Sequence, residues 1–216
     1  MKNDYGTGPD KISIPPTLLF SLFGDHPDVR KTATSDFKSV GDRIYLVGTS
    51  HQELGASELA YMMSESGDAH GIGGQVPQLP HPEQNLSTYR ALAAAVRNGT
   101  VRTAHDCSEG GVAVALAEMC IGGRLGASVD IDGTGEGDVW GRLWGESLGR
   151  FVVAVSPENE AQFLTSMKSH PTTVLGVVSD SSFLEVSDGD DVLIHMDVET
   201  MAAAWKGTLD LTGGIA

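Results

Sequence analysis

The stretch Thr103–Cys120 reads TAHDCSEGGVAVALAEMC: a short β-prone run, a polar turn with Asp106, Ser108 and Glu109, two glycines, then an apolar run. The apolar part, GGVAVALAEMCIGG, is hydrophobic nearly all round and predicts a buried helix. TVRTAHD in front of it predicts a strand. A helix start leaves backbone N–H groups unpaired and carries roughly half a positive charge from its aligned peptide dipoles. Gly110 and Gly111 bear no side chain that would hold a ligand off that backbone, so the turn can cradle a phosphate or a carboxylate. Asp106 and Glu109 are hard oxygen donors, and Mg²⁺ takes few such groups together with phosphate oxygens. The plainer reading is that Ser108 or Asp106 caps the helix and the glycines allow a tight turn. The residues alone leave both readings open.

Outward from this stretch the chain alternates strand and helix signals. TLLFSLFG (Thr17 to Gly24) and RIYLVG (Arg43 to Gly48) predict strands. Ser57 is placed to cap a short helix, ELAYMMSES. The segment from about Glu83 to Asn98 puts Leu86, Tyr89, Leu92, Ala93 and Val96 on one helical face, with Gly99 as its stop. GASVDID and RFVVAV predict strands around a short helix in DVWGRLWGES, and PENEAQFLTSMKSH opens a helix with proline and acids. TTVLGVVS, FLEVS and DVLIHMD predict three strands close together, the last two joined by DGDD, and VETMAAAWKGTL a closing amphipathic helix. Strands outnumber a simple βαβ alternation, which favours the α+β class: a mixed sheet flanked by helices.

The 216 residues are 40% hydrophobic and 20% charged, the profile of a globular chain able to bury a core. With 14 Lys and Arg against 29 Asp and Glu, the net charge is −15. Such a surface repels nucleic acid and anionic lipid, so neither is an expected partner. Phosphate ligands would need local positive potential from metal ions or backbone N–H groups. Cys107 and Cys120 are the only cysteines and lack CxxC spacing, which points to a reducing cytoplasm. The polar first 16 residues, with their glycines and prolines, predict a loose leader with no signal-peptide core.

Four stretches, in order, carry a family resemblance. HDCSEGGVAVALAEMCIGGRLGASVDI resembles the H-D-x-S-[DE]-G-G-x-x-x-x-L-A-E-M segment of the phosphoribosylformylglycinamidine synthases, in the aminoimidazole ribonucleotide synthetase superfamily. DVRKTATSDFKSVGDRIYLVG, ELGASELAYMM and LWGESLGRFVVAV are similar to that family's strand-entry, L-G-[AG]-S-E and F-x-E-S-x-G-R-x-x-V-x-V segments. The likeness runs from about Thr17 to Trp205. Cyclising synthetases, selenophosphate synthetases, thiamine-monophosphate kinases and a hydrogenase-maturation protein share the H-D-x-[ST]-x-G-G idea and match the DVRKTATSDFK and LGASEL stretches less well.

The resemblance implies ATP-dependent amination of formylglycinamide ribonucleotide, with ammonia drawn from glutamine by a separate glutaminase subunit or domain. It implies that residues 1–40 hold a leader plus the last strand and connector of a missing N-terminal-type domain, and that residues 41–216 form a C-terminal-type domain. Such a chain is incomplete as an enzyme and carries no catalytic residue of its own. Asp106 matches the family's Mg²⁺-holding aspartate, Ser108 a serine on nucleotide phosphate, and Gly110 and Gly111 the close-approach glycines. His105 orients Asp106, contacts the nucleotide, or is structural. The implied cofactors are Mg²⁺ and ATP, with a small-molecule substrate. The alternatives are a non-catalytic assembly module of the same fold and another ATP-dependent synthetase or kinase of the superfamily.

Further residues have two readings each. Cys107 lacks the strained elbow that a glutaminase nucleophile needs, so no catalysis is expected from it. Glu146, Ser147 and Arg150 either contact ligand or partner, or form an ion pair that shapes a turn. HGIGGQVP has no P-loop context and predicts an interface or lid loop. The histidines show no metal-ligand spacing, so no zinc is expected. Trp140, Trp144 and Trp205 read as core or interface anchors.

Overall fold

The computed structural model describes residues 4–6, 8–13, 19–26, 28–66, 74–79 and 81–207. The chain divides into two units, Met1–Arg30 and Lys31–Ala216. The first half of the HGIGGQVP loop, residues 70–73 with His70, lies outside the described residues.

In the first unit, β1 (Asp4–Tyr5) pairs antiparallel with β2 (Ile12–Ser13), where the sequence predicts only a loose leader. The strand predicted over Thr17 to Gly24 is not seen: Leu19 to Gly24 is irregular, and Thr17 and Leu18 lie outside the described residues. Leu19, Phe20, Leu22 and Phe23 are all exposed. An apolar run becomes a strand only when a neighbour takes its backbone N–H and C=O groups, and among the described residues none does so here.

The second unit contains β3 (Arg43–Val47), α1 (Glu58–Ser66), α2 (Pro82–Arg97), β4 (Thr103–Asp106), α3 (Gly111–Gly123), β5 (Gly126–Asp130) and α4 (Val139–Trp144). It continues with β6 (Phe151–Val155), α5 (Glu160–Met167), β7 (Thr172–Ser179), β8 (Phe183–Asp188), β9 (Asp191–Asp197) and α6 (Val198–Gly207). The sheet has seven strands in the order β4-β6-β3-β7-β5-β8-β9. Every neighbouring pair is antiparallel except β5 with β8. This is the mixed-sheet α+β architecture that the strand count predicts.

The central strands are apolar at consecutive positions because both sheet faces are covered. Ile44 and Leu46 of β3, with Val152 and Ala154 of β6, pack beneath Val112, Leu116, Met119 and Cys120 of α3 and Met201 of α6. Tyr45, Val47, Val153 and Val155 face the other way, against Leu92 and Ala95 of α2 and Phe163 and Met167 of α5. Helix α3 is the innermost, as its all-round apolar sequence requires.

Helix α2 is rolled relative to its predicted face. It buries Thr88, Leu92 and Ala95, while Leu86, Tyr89 and Ala93 are exposed. Thr88 can sit inside because its hydroxyl donates to Gln84 O at 3.1 Å and meets His170 Nδ1 at 3.1 Å. A satisfied hydroxyl removes the cost of burying it. Trp144 packs on the core, whereas Trp140 and Trp205 are largely exposed. Among the described residues no helix is long and apolar enough to cross a membrane.

Candidate functional site

Strand β4 lies at one edge of the sheet, with His105 opposite Val152 and Asp106 opposite Phe151 of β6. The chain leaves the strand at Asp106 and enters α3 five residues later, so the turn is set at the mouth of the buried helix. The Asp106 side chain is 64% exposed. Ser108 Oγ donates to Asp106 Oδ2, which makes one polar pair facing solvent. His105 is held between two acceptors: Nδ1 is 2.7 Å from the Asp106 carbonyl and Nε2 is 2.8 Å from Glu118 Oε2. With both ring nitrogens engaged within the chain, His105 braces Asp106 through the backbone. Ser57 caps α1, its Oγ accepting from Ala60 N–H at 3.2 Å.

The two glycines answer to packing as well as to conformation. Both have positive φ, +75° at Gly110 and +65° at Gly111, which only glycine adopts without strain. A Cβ on Gly111 would fall 2.5 Å from Gly145 O and 2.6 Å from Leu143 O. The space that the sequence reading reserves for an approaching ligand is, at Gly111, filled by the end of α4.

The helix start itself has an internal partner. Glu146 Oε1 accepts from Gly110 N–H at 3.0 Å and from Glu58 N–H at 2.9 Å, so one carboxylate oxygen serves the first turns of α3 and α1. A negative group at two positive helix ends is electrostatically favourable. The sequence singles out Glu146 but does not reveal its target, 36 residues earlier for Gly110. Nor does local pattern reveal Glu118 as the partner of His105, although an acid within an otherwise apolar helix is its signal.

Glu146 is held in place by Arg150, which is 1% exposed. The guanidinium donates to Ser147 O at 2.9 Å, to Ser50 Oγ at 2.9 Å and to Gly145 O. Burial lowers its pKa, with Cys107, Glu53 and Glu146 opposing. Arg150 therefore shapes the turn through carbonyls and a hydroxyl, and among the described residues it forms no ion pair. Ser147 Oγ accepts from His51 N–H at 3.0 Å, tying the same loop to the chain after β3.

Cys107 is buried behind this loop, and burial pushes its thiol up to about 11, with Arg150 opposing and Asp106 reinforcing the shift. Burial pushes Cys120 up to about 12. A thiol held protonated is a poor nucleophile. Neither cysteine should react with Ellman's reagent in the native chain at neutral pH, and both should react in denaturant. Fast stoichiometric labelling of the folded chain would contradict this placement.

Residues 39–189 match the family described as AIR synthase related protein, C-terminal domain. Among solved structures, the chain is similar to Thermotoga maritima PurL complexed with FGAR, at 21% identity and a TM-score of 0.65, over 81% of this chain and 30% of that one. It is similar to T. maritima PurL complexed with ATP at 21% identity and a TM-score of 0.62, over 81% and 28% of the two chains. The resemblance to E. coli HypE, a hydrogenase maturation protein, is 18% identity and a TM-score of 0.55, over 77% and 52%. At these identities the structures speak for the fold alone, and the chain spans under a third of the PurL chains. The family match covers most of the second unit, and with it the α3 turn, so the chain belongs to the AIR synthase related protein family, as a C-terminal domain.

Proposed function

We propose that this domain forms one wall of a Mg²⁺–ATP site in a glutamine-dependent carbon–nitrogen ligase of the phosphoribosylformylglycinamidine synthase kind. On this reading the whole enzyme aminates formylglycinamide ribonucleotide in purine biosynthesis in the cytoplasm. N-terminal-type domains complete the site, and a glutaminase subunit or domain supplies ammonia. Residues 1–40 then end a preceding domain, whose sheet would give the exposed run Leu19 to Gly24 a strand partner, and residues 41–216 are the C-terminal-type domain.

The observation that carries the reading is the exposed Asp106–Ser108 pair at the end of β4, beside the head of the innermost helix. Among the described residues no group of three or more His, Cys, Asp or Glu could hold a metal. One exposed carboxylate still suits Mg²⁺, which commonly takes one or two carboxylates and completes its shell with phosphate oxygens and water. Asp106 would hold the ion, and Ser108 and Gly110 would face the phosphates, with Gly111 setting the turn and His105 bracing it. The ion supplies positive charge that offsets phosphate repulsion in a chain of net charge −15. T. maritima PurL complexed with ATP, ADP and AMPPCP supports a nucleotide in a protein of this fold.

A second reading, a non-catalytic assembly module, draws on Glu146, which already occupies the Gly110 N–H. Thermal shift separates the two. Joined to its N-terminal-type domains, the chain should be stabilised by about 2.7 kcal/mol when Mg²⁺–ATP is at 100 times its Kd. Asp106→Asn should abolish most of that gain and move the ligand-free midpoint little, because an exposed substitution stays within about 0.5 kcal/mol. The chain alone should respond weakly. A full response from the chain alone would overturn the division of labour, and an unchanged response in Asp106→Asn would favour the module.

A further inference from the structure

The same loop that carries Glu146 also walls a separate cavity of about 110 Å³, between the end of β3 and the start of α2. Its lining includes His51, His81, Gln84 and Asn85, with the backbone at Gly48 and Gly149, and among the described residues contains no Asp, Glu, Lys or Arg. In a chain with 29 acidic residues, a polar cavity whose described lining holds no acid is a chemical distinction. The wider cavity beside it, which shares His51, is lined by Glu53 and Glu136.

The glycines close this wall. A Cβ on Gly48 would meet Gly149 O at 2.7 Å, and one on Gly149 would meet Asn85 Nδ2 at 2.6 Å. The Asn85 amide is thereby set against the cavity wall. Helix α2, 16 residues long, begins at this cavity with His81 as its N-cap and no side-chain cap hydrogen bond, and its dipole adds positive potential there. Two imidazoles and two primary amides supply N–H donors, and among the described residues no carboxylate lines the cavity beside them. One water needs roughly 10–15 Å³ by the same measure, so there is room for a phosphate-sized group.

We infer that this cavity binds a small oxyanion, the phosphate group of inorganic phosphate or of a phosphate ester, through His51, His81, Gln84 and Asn85. The inference is independent of the nucleotide reading, because neither Asp106, Ser108, Gly110 nor Gly111 lines the cavity.

Histidine-ring NMR on the full chain, titrated with inorganic phosphate and separately with glycerol 3-phosphate, tests it. The His51 and His81 ring signals should shift saturably, with a Kd on the order of 1 mM. The ring of His195, which does not line the cavity, should stay still. Asn85→Asp places a like charge in the cavity and should weaken binding about tenfold or more. His81→Gln should weaken it while the His51 shift persists, and Asp106→Asn should leave it intact. Saturation by phosphate alone would identify free phosphate as the ligand, and saturation by the ester would extend it to phosphorylated molecules. No saturable shift with either probe, equal affinity in Asn85→Asp, or shifts at the Ser108 and Gly110 amides in place of the rings would overturn the assignment.

Discussion

Replacing Arg150 with methionine should lower the thermal midpoint of the domain by roughly 10 °C, the largest loss expected from any single side chain here. Among the described residues Arg150 is the bulkiest fully buried side chain, and its partners sit just as deep: Ser50 is 0% and Ser147 1% exposed. Methionine fills much of the volume but donates no hydrogen bond. It therefore leaves Ser147 O, Gly145 O and Ser50 Oγ without the donor that now satisfies them. Stranding buried acceptors costs about 1–3 kcal/mol each, with partial relaxation, so a total of about 3–5 kcal/mol follows. Arg150→Lys should recover only part of the loss, since a compact ammonium cannot span three acceptors set around a planar fork. Calorimetry measures the midpoint. Amide exchange should show a second effect: the Gly110 and Glu58 N–H groups become less protected, because Glu146 is carried by the loop that Arg150 holds. A midpoint within about 2 °C of the parent would show that the loop does not depend on this residue.

Gly111→Ala should destabilise the domain by about 3 kcal/mol or more, from two separable causes. The first is conformational, a left-handed φ of +65° at a residue that would then carry a Cβ. The second is steric, because that Cβ would lie 2.5 and 2.6 Å from two backbone carbonyl oxygens, which cannot swing aside as a side chain could. Gly99→Ala is the internal control: its φ is +72°, yet a Cβ there meets nothing within 4 Å. That variant should lose only the conformational part, about 1–2 kcal/mol. Denaturant unfolding of the two variants isolates the packing contribution as their difference. Equal losses would mean that α4 can shift off the start of α3, and that the space beside Gly111 is available after all.

Several elements were legible because their cause is local. The all-round apolar run after Gly111 could only be a buried helix. The continuous β-branched and aromatic runs of β3 and β6 mark strands covered on both faces. Ser57 capping α1 and the DGDD turn between β8 and β9 rest on side-chain chemistry within a few residues. The likeness in four ordered segments points to the family from sequence alone. The rest depends on distant pairing. The roll of α2 turned on whether Thr88 found His170, 82 residues away. The apolar run at Leu19 to Gly24 looks like a strand in sequence and is not one here, since strand formation requires a neighbour that periodicity cannot provide.

The sequence by itself determined which segments are helix and strand around the core, where the polar turn meets the buried helix, and that Asp106 and Ser108 stand together there. Only the tertiary structure decided what that turn has available. It brings Glu146 onto the Gly110 N–H, sets the carbonyls of Leu143 and Gly145 against Gly111, and engages both nitrogens of His105. Composition and spacing record what each residue can donate or accept. Which partner reaches it first is decided by strand order and loop packing, across separations that no local pattern encodes.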